Sequence, residues 1–177
     1  LSEMTAEDIL AKISSYLSPL TSYHPLVVLT GGEPTLQVDE AFINLLHQHG
    51  YEVAMESNGT RPAPMNLDWL TVSPKIAGGM GERRYGGTDS QPSDACTARI
   101  PDEIKIIFDE DTDPTSYFAL PYLRTPSLLN SPMLYLQPCD TGDAERNERI
   151  INRCVDYIKE HPEWRLSLQT HKLVGFK

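Results

Sequence analysis

Four short clusters of this chain carry side chains that could do chemistry together. The first is Thr30-Gly31-Gly32-Glu33-Pro34. Two glycines leave backbone that no side chain obstructs, and Pro34 fixes φ and removes a donor. The segment therefore presents open carbonyls beside one carboxylate, which suits a ligand carrying an ammonium group. The same string also reads as an ordinary strand-to-helix turn, because Gly and Pro punctuate turns generally. The second cluster is Glu56-Ser57-Asn58-Gly59-Thr60. Glu56 and Asn58 are two apart and share a face in extended backbone. A carboxylate and an amide so placed can hydrogen-bond a ribose diol, while Asn-Gly by itself is a turn signal. The third is Ser73-Pro74-Lys75, whose lysine could hold a carboxylate by charge-assisted hydrogen bonds or stand solvated in a loop. The fourth is Gln137-Pro138-Cys139-Asp140.

Each cluster follows a segment that reads as a strand. Val27-Val28-Leu29 is short, apolar and β-branched, as in a buried strand. Tyr51 to Glu56, Trp69 to Val72, Glu103 to Phe108, Met133 to Leu136 and Arg165 to Gln169 continue the series. Helical patterns alternate with them. Thr5 is a candidate N-cap with Asp8 three residues on, and Ile9, Leu10, Ile13, Tyr16 and Leu17 then share a face up to Ser18-Pro19. A second helix spans about Asp39 to His49, with Ala41, Phe42, Leu45 and Leu46 as its buried stripe and Gly50 as its stop. His47 and His49 fall on different faces of it and read as surface residues. A third spans about Ala144 to Glu160, burying Ile150, Ile151, Val155 and Ile158, with Cys154 as packing and His161-Pro162 as the end. Asp109-Glu110-Asp111 and Asp113-Pro114 read as a solvated acidic turn. Residues 76–101 are Gly-rich and aperiodic, and read as a loop or insert that could act as a mobile lid. The alternation predicts an α/β fold with a mainly parallel sheet. In such sheets ligands sit at the carboxyl ends of strands, so the clusters are expected to converge on one rim.

The chain has 177 residues, 40% hydrophobic and 23% charged, which fits one soluble domain with a sizeable core. Its net charge of −10 argues against broad phosphate neutralisation on nucleic acid. No apolar run reaches the roughly 18 residues of a membrane span, and no signal-peptide pattern is present. Cys96, Cys139 and Cys154 lack close spacing and suggest a reducing, cytoplasmic setting more than a disulfide framework. There is no internal repeat or low-complexity tract.

Thr-Gly-Gly-Glu-Pro resembles the S-adenosylmethionine (SAM) segment of radical SAM enzymes. With Glu-Ser-Asn-Gly-Thr, Ser-Pro-Lys, Leu-Gln-Pro-Cys-Asp and the terminal Trp-Arg-Leu-Ser-Leu-Gln-Thr-His-Lys, in this order, the chain resembles the 7-carboxy-7-deazaguanine synthases of the queuosine pathway from about Thr5 to Lys177. The resemblance implies an incomplete TIM-like barrel with mainly parallel strands and reduced helix content. It implies a radical ring contraction of 6-carboxy-5,6,7,8-tetrahydropterin to 7-carboxy-7-deazaguanine with release of ammonia, needing SAM, a 4Fe-4S cluster and magnesium. Gly31, Gly32 and Glu33 match the segment that receives the SAM amine, and Glu56 and Asn58 the ribose site. Ser73, Pro74, Lys75, Gln137, Pro138, Cys139 and Asp140 match further SAM-contacting segments. Thr30 and the C-terminal Lys177 match substrate-contacting positions. His171 is assigned no role, and no residue is assigned to catalysis or metal binding. A homodimer and a reducing partner such as flavodoxin are implied, with no nucleic acid or membrane.

One departure matters. The family binds its cluster through a Cys-x-x-x-Cys-x-x-Cys loop, and the cysteines here have neither that spacing nor that position. The expectation is a sequence lacking about 30 to 40 residues before the first helix, and inactive as it stands. Two alternatives differ in class: another radical SAM enzyme such as a glycyl-radical activase, which has no reason to end in Gln-Thr-His-Lys, and a cluster-free SAM- or nucleotide-binding module.

Overall fold

The computed structural model describes residues 4–16, 24–74, 99–119 and 131–170. Leu17, Lys75, Cys96, His171, Lys177 and most of the 76–101 segment lie outside them. The first helix, α1 (Ala6–Ser15), opens as the sequence predicts. The Asp8 amide donates to the Thr5 hydroxyl at 3.1 Å, and the Thr5 amide donates to the Asp8 carboxylate at 3.2 Å. This reciprocal pair satisfies two donors that a helix start otherwise leaves open. After it come β1 (Leu26–Leu29), a short 3-10 turn (Pro34–Leu36), α2 (Glu40–Gln48), β2 (Glu52–Ser57) and β3 (Trp69–Val72). The chain continues with β4 (Glu103–Phe108), a second 3-10 turn (Pro114–Ala119), β5 (Met133–Pro138), α3 (Ala144–Glu160) and β6 (Trp164–Leu166). Asp39 caps α2 and Asp143 caps α3, each carboxylate accepting the amide three residues on.

The strands form one six-stranded sheet in the order β1-β2-β3-β4-β5-β6. Every neighbouring pair is parallel. Parallel strands need crossovers, and crossovers are right-handed in nearly all cases. When strand order follows chain order without reversal, that rule puts all the crossovers on one side. The packing agrees. Leu10 of α1, Ile43 and Leu46 of α2, and Ile150 and Cys154 of α3 share one core with Val53, Met55, Leu70, Val72, Ile104, Ile106, Phe108, Leu136 and Trp164. Many of these are fully buried, and a buried aliphatic side chain of this size contributes about 1.5–3 kcal/mol. The alternation along β4 shows the two-sidedness: Ile104, Ile106 and Phe108 are buried, while Glu103, Lys105 and Ile107 between them are partly exposed on the opposite face.

Several expectations need correction. Among the described residues β1 is at the edge of the sheet, so Val27 and Leu29 are only partly buried and Leu26 and Val28 lie exposed, where its composition suggests a buried strand. Helix α1 stops at Ser15, and Tyr16 is a cap residue outside its apolar face, exposed to 77%. In α2 the stripe is centred one residue later than expected: Ile43 and Leu46 are buried, Phe42 and Leu45 flank them, and Ala41 is exposed. In α3, Cys154 lies one turn on from Ile150 and fills the core, whereas Ile151 is exposed. Strand β2 is shifted one residue from the expected span, β5 runs on through Pro138, and β6 is confined to Trp164–Leu166. Asp109 is not solvated. It is buried and accepts the Thr112 hydroxyl at 2.6 Å and the Asp111 amide at 3.0 Å, which removes most of the cost of its burial.

The turn after β2 requires glycine. Gly59 has φ +73°, and a Cβ there would stand 2.8 Å from Val72 Cγ1 of the next strand. Gly142 has φ +81° with nothing among the described residues within 4 Å of a Cβ. Gly59→Ala should therefore cost about 2–5 kcal/mol, backbone strain plus overpacking, and Gly142→Ala only about 1–2 kcal/mol. Urea unfolding of both variants measures the difference, and equal losses would mean the Val72 contact is relieved without cost.

Candidate functional site

Because all strands run the same way, Thr30, Ser57-Asn58, Ser73-Pro74 and Cys139-Asp140 emerge at one rim. The rim is fastened by side chains. Glu33 is the main fastener. Its Oε1 accepts the Thr35 amide (3.2 Å), the Thr35 hydroxyl (2.7 Å) and the Ser57 hydroxyl (2.8 Å), and its Oε2 accepts the Asn58 amide (2.8 Å). A strand end loses its ladder partners, so its amides need acceptors from elsewhere; here one carboxylate ties the end of β1 to the end of β2. Ahead of it, Gly31 and Gly32 hold φ +84° and +52°, and among the described residues a Cβ on either would meet nothing within 4 Å. The backbone of the Gly-Gly segment thus lies open beside a fixed negative charge. That arrangement can receive an ammonium group, with Oε2 keeping acceptor capacity after its bond to Asn58.

Asn58 does not stand free beside Glu56. Its Oδ1 accepts the Thr60 amide at 2.9 Å and the Thr60 hydroxyl at 2.7 Å, closing a turn over Gly59. The turn reading and the ligand reading of this segment are therefore both present: Oδ1 holds the turn, and Glu56 remains directed to the face away from the helices. There Lys105 Nζ donates to Glu56 Oε1 at 3.0 Å. The register places Glu56, Thr71 and Glu103 side by side on β2, β3 and β4. It also pairs Lys105 with Tyr135, Tyr135 with Arg165, and Ile107 with Gln137. The Arg165 guanidinium lies 5.9 Å from the Tyr135 ring centre. Burial pushes the Glu103 carboxyl up, Lys105 pulls it back, and Glu56 adds repulsion.

The fourth cluster is held from α3. Asp140 Oδ1 accepts the Gly142 amide (3.0 Å) and Asn147 Nδ2 (2.9 Å), and Asn147 Oδ1 accepts the Thr141 amide and hydroxyl at 2.8 Å each. The Cys139 amide donates to the Phe108 carbonyl at 2.8 Å. Ser73 is half-buried and Pro74 buried, with the Ser73 amide on the Ser57 carbonyl at 2.8 Å. Thr30 is exposed at the end of β1. The structure thus gathers the described members of all the sequence-predicted clusters, while Lys75 and Lys177 fall outside the described residues. Sequence reading missed Lys105 and Glu103. Their alternation with Ile104 and Ile106 was the available signal, since a charged residue on every second position of a central strand marks a polar face.

No ligand set for metal accompanies this site: among the described residues no group of three His, Cys, Asp or Glu side chains could hold a metal ion. Cys139 lies at the rim, and Cys154 lies in the core, where burial pushes its thiol up to about 11. Among the described residues no helix is long and apolar enough to cross a membrane.

The fastening role of Glu33 has a direct test. Glu33→Ala leaves the Ser57 hydroxyl and the Asn58 amide without their acceptor and should cost about 1–3 kcal/mol in urea unfolding. Amide exchange at Asn58 should speed up beyond the global loss of stability. Wild-type protection at Asn58 in the variant would show that the carboxylate does not hold this turn.

No protein-family model matches the chain. The 7-carboxy-7-deazaguanine synthase of Bacteroides thetaiotaomicron is 36% identical over 174 residues, which cover 98% of this chain and 74% of that protein. The Caulobacter vibrioides enzyme of the same name is 37% identical over 172 residues, 97% of this chain and 68% of that one. The Nitratidesulfovibrio vulgaris enzyme is 40% identical over 155 residues, 86% of this chain and 60% of that one. The crystal structure of QueE from Escherichia coli superposes with a TM-score of 0.68 at 27% identity, covering 94% of this chain and 64% of that chain. The polar rim at the end of an all-parallel sheet, and the identity to these relatives over nearly the whole of its length, place one conclusion beyond the fold: this chain belongs to the 7-carboxy-7-deazaguanine synthase family.

Proposed function

We propose that the described residues form the SAM-binding part of a radical SAM carbon–nitrogen lyase. Its reaction converts 6-carboxy-5,6,7,8-tetrahydropterin to 7-carboxy-7-deazaguanine with release of ammonia. The observation that carries this reading is the rim itself: a Gly31-Gly32 backbone open among the described residues beside the fixed Glu33 carboxylate, with a Glu56 carboxylate on the sheet face opposite the core. An ammonium and a ribose diol are the groups that such a pair can receive, and SAM carries both.

SAM supplies, when reductively cleaved, a carbon-centred radical able to take a substrate hydrogen. The protein's part is positional. The Gly31 and Gly32 backbone and Glu33 would receive the methionine amine. Glu56, with Asn58 beside it, would address the ribose. Ser73, Pro74 and Lys75, and the loop from Gln137 to Asp140, would border the rest of the nucleoside, with Thr30 and Lys177 toward the pterin. Exclusion of water from the bound site would strengthen each of these contacts and protect the radical. Among the described residues no group of three His, Cys, Asp or Glu side chains could hold a 4Fe-4S cluster or magnesium. A homodimer and a flavodoxin-like reductant are the macromolecular partners this reading carries. The comparisons favour it over a glycyl-radical activase, since the relatives at 36–40% identity share one name.

The test joins the chain to a Cys-x-x-x-Cys-x-x-Cys segment taken from one of these relatives. After anaerobic reconstitution, the joined protein should form 7-carboxy-7-deazaguanine and ammonia from the pterin with SAM and a low-potential reductant. The chain without that segment should form neither. Product from the chain by itself would overturn the reading that the cluster needs a Cys-x-x-x-Cys-x-x-Cys segment. A joined protein that binds its cluster and SAM but yields no product would favour another radical SAM enzyme, and one that binds SAM but no cluster the nucleotide-binding module.

A further inference from the structure

Lys105 occupies an unusual place. It sits in the middle of β4 on the face away from the helices, yet its side chain is only 17% exposed. Its stem crosses the level of β3 to reach Glu56 on β2, where Nζ donates to Oε1 at 3.0 Å. Glu56 is 46% exposed, and among the described residues its Oε2 takes no hydrogen bond. Glu103 lies level with Glu56 across Thr71 and repels it. Without a cation between them, two neighbouring carboxylates would turn apart. With it, one oxygen of Glu56 is fixed and the other is left open in a defined direction.

We propose that Lys105 is the positioning residue of the ribose subsite: it holds Glu56 Oε1 so that Oε2 accepts from a nucleoside hydroxyl. This rests on the reading of Glu56 as the ribose carboxylate. Lys105 touches no reacting atom and acts through Glu56. Glu56 stands on the strand paired with β1, whose end leads into Gly31-Gly32, so the oxygen that Lys105 leaves open belongs to the strand next to that segment. Arg165, paired in register with Tyr135 beside Lys105, lies too far along the sheet to substitute for it.

The test titrates SAM and its 2′,3′-dideoxy analogue into the protein, Lys105→Met, Lys105→Arg, Glu56→Gln and the double variant Glu56→Gln/Lys105→Met, with thermal melting as a folding check. Lys105→Met should weaken SAM about tenfold, the scale of one charge-assisted hydrogen bond. It should leave the dideoxy analogue within about twofold, and Lys105→Arg should recover most of the loss. The double variant should bind SAM no worse than Glu56→Gln. Lys105→Gln, which keeps a donor without the charge, replaces Lys105→Met if the latter does not fold. Equal weakening of both ligands would overturn the proposal in favour of a general structural role. Unchanged SAM binding in Lys105→Met, with hydroxyl discrimination lost in Glu56→Gln, would overturn it while the ribose reading stands. Wild-type protein that does not distinguish the two ligands would overturn the ribose reading itself.

Discussion

Everything in this molecule depends on an unreversed parallel strand order. Six strands pair in the sequence in which they are made, and right-handed crossovers then force the helices to one side. One face of the sheet becomes the core, with Ile104, Ile106, Leu136 and Trp164 almost wholly buried. The other face is released from packing and can carry Glu56, Glu103 and Lys105. A single reversal in strand order would bring a helix over those charges. Burying them would then cost several kcal/mol per ion unless each were fully paired. Polarity on one face and apolar density on the other are thus consequences of one topological choice.

The same choice collects every strand's carboxyl end at one rim and creates a difficulty there. Strand ends and loops carry unpaired backbone groups, and these must be satisfied without closing the site. Side chains supply the answer. Glu33 holds the Asn58 amide and the Ser57 hydroxyl, Asn147 holds the Thr141 loop, and Arg153 donates to the carbonyls of Asp109 at 2.7 Å and of Glu110 while lying over the Phe108 ring. Glu33 shows how such a fastener can also serve a ligand. Oε1 is saturated by three donors, so its position is fixed, and Oε2 has one. A carboxylate locked in this way costs little reorganisation when a cation arrives, which is the physical meaning of a preorganised site.

Several sequence readings went wrong for related reasons. Val27-Val28-Leu29 has the composition of a buried strand, but burial depends on neighbours, and β1 has a paired strand on one side only among the described residues. Ala41 and Ile151 lie within the right helices but off the line of contact, because the stripe that a helix buries is set by where it crosses the sheet. Asp109 reads as solvated in an acidic run, yet Thr112 three residues on supplies the hydroxyl that lets it be buried.

The sequence alone determined the order of the described strands and α-helices, the α/β class and the capping of the first helix by Thr5. These are local properties: apolar period, turn chemistry and short motifs are written within a few residues of where they act. The family was legible too, since five separated motifs in one order carry far more information than any one of them. What only the tertiary structure decided was the pairing of distant groups. That Glu33 bonds across 25 positions to Asn58, and that Lys105 reaches 49 positions back to Glu56, follows from sheet register. Register is fixed by the packing of all six strands against their helices, so no single stretch of sequence contains it.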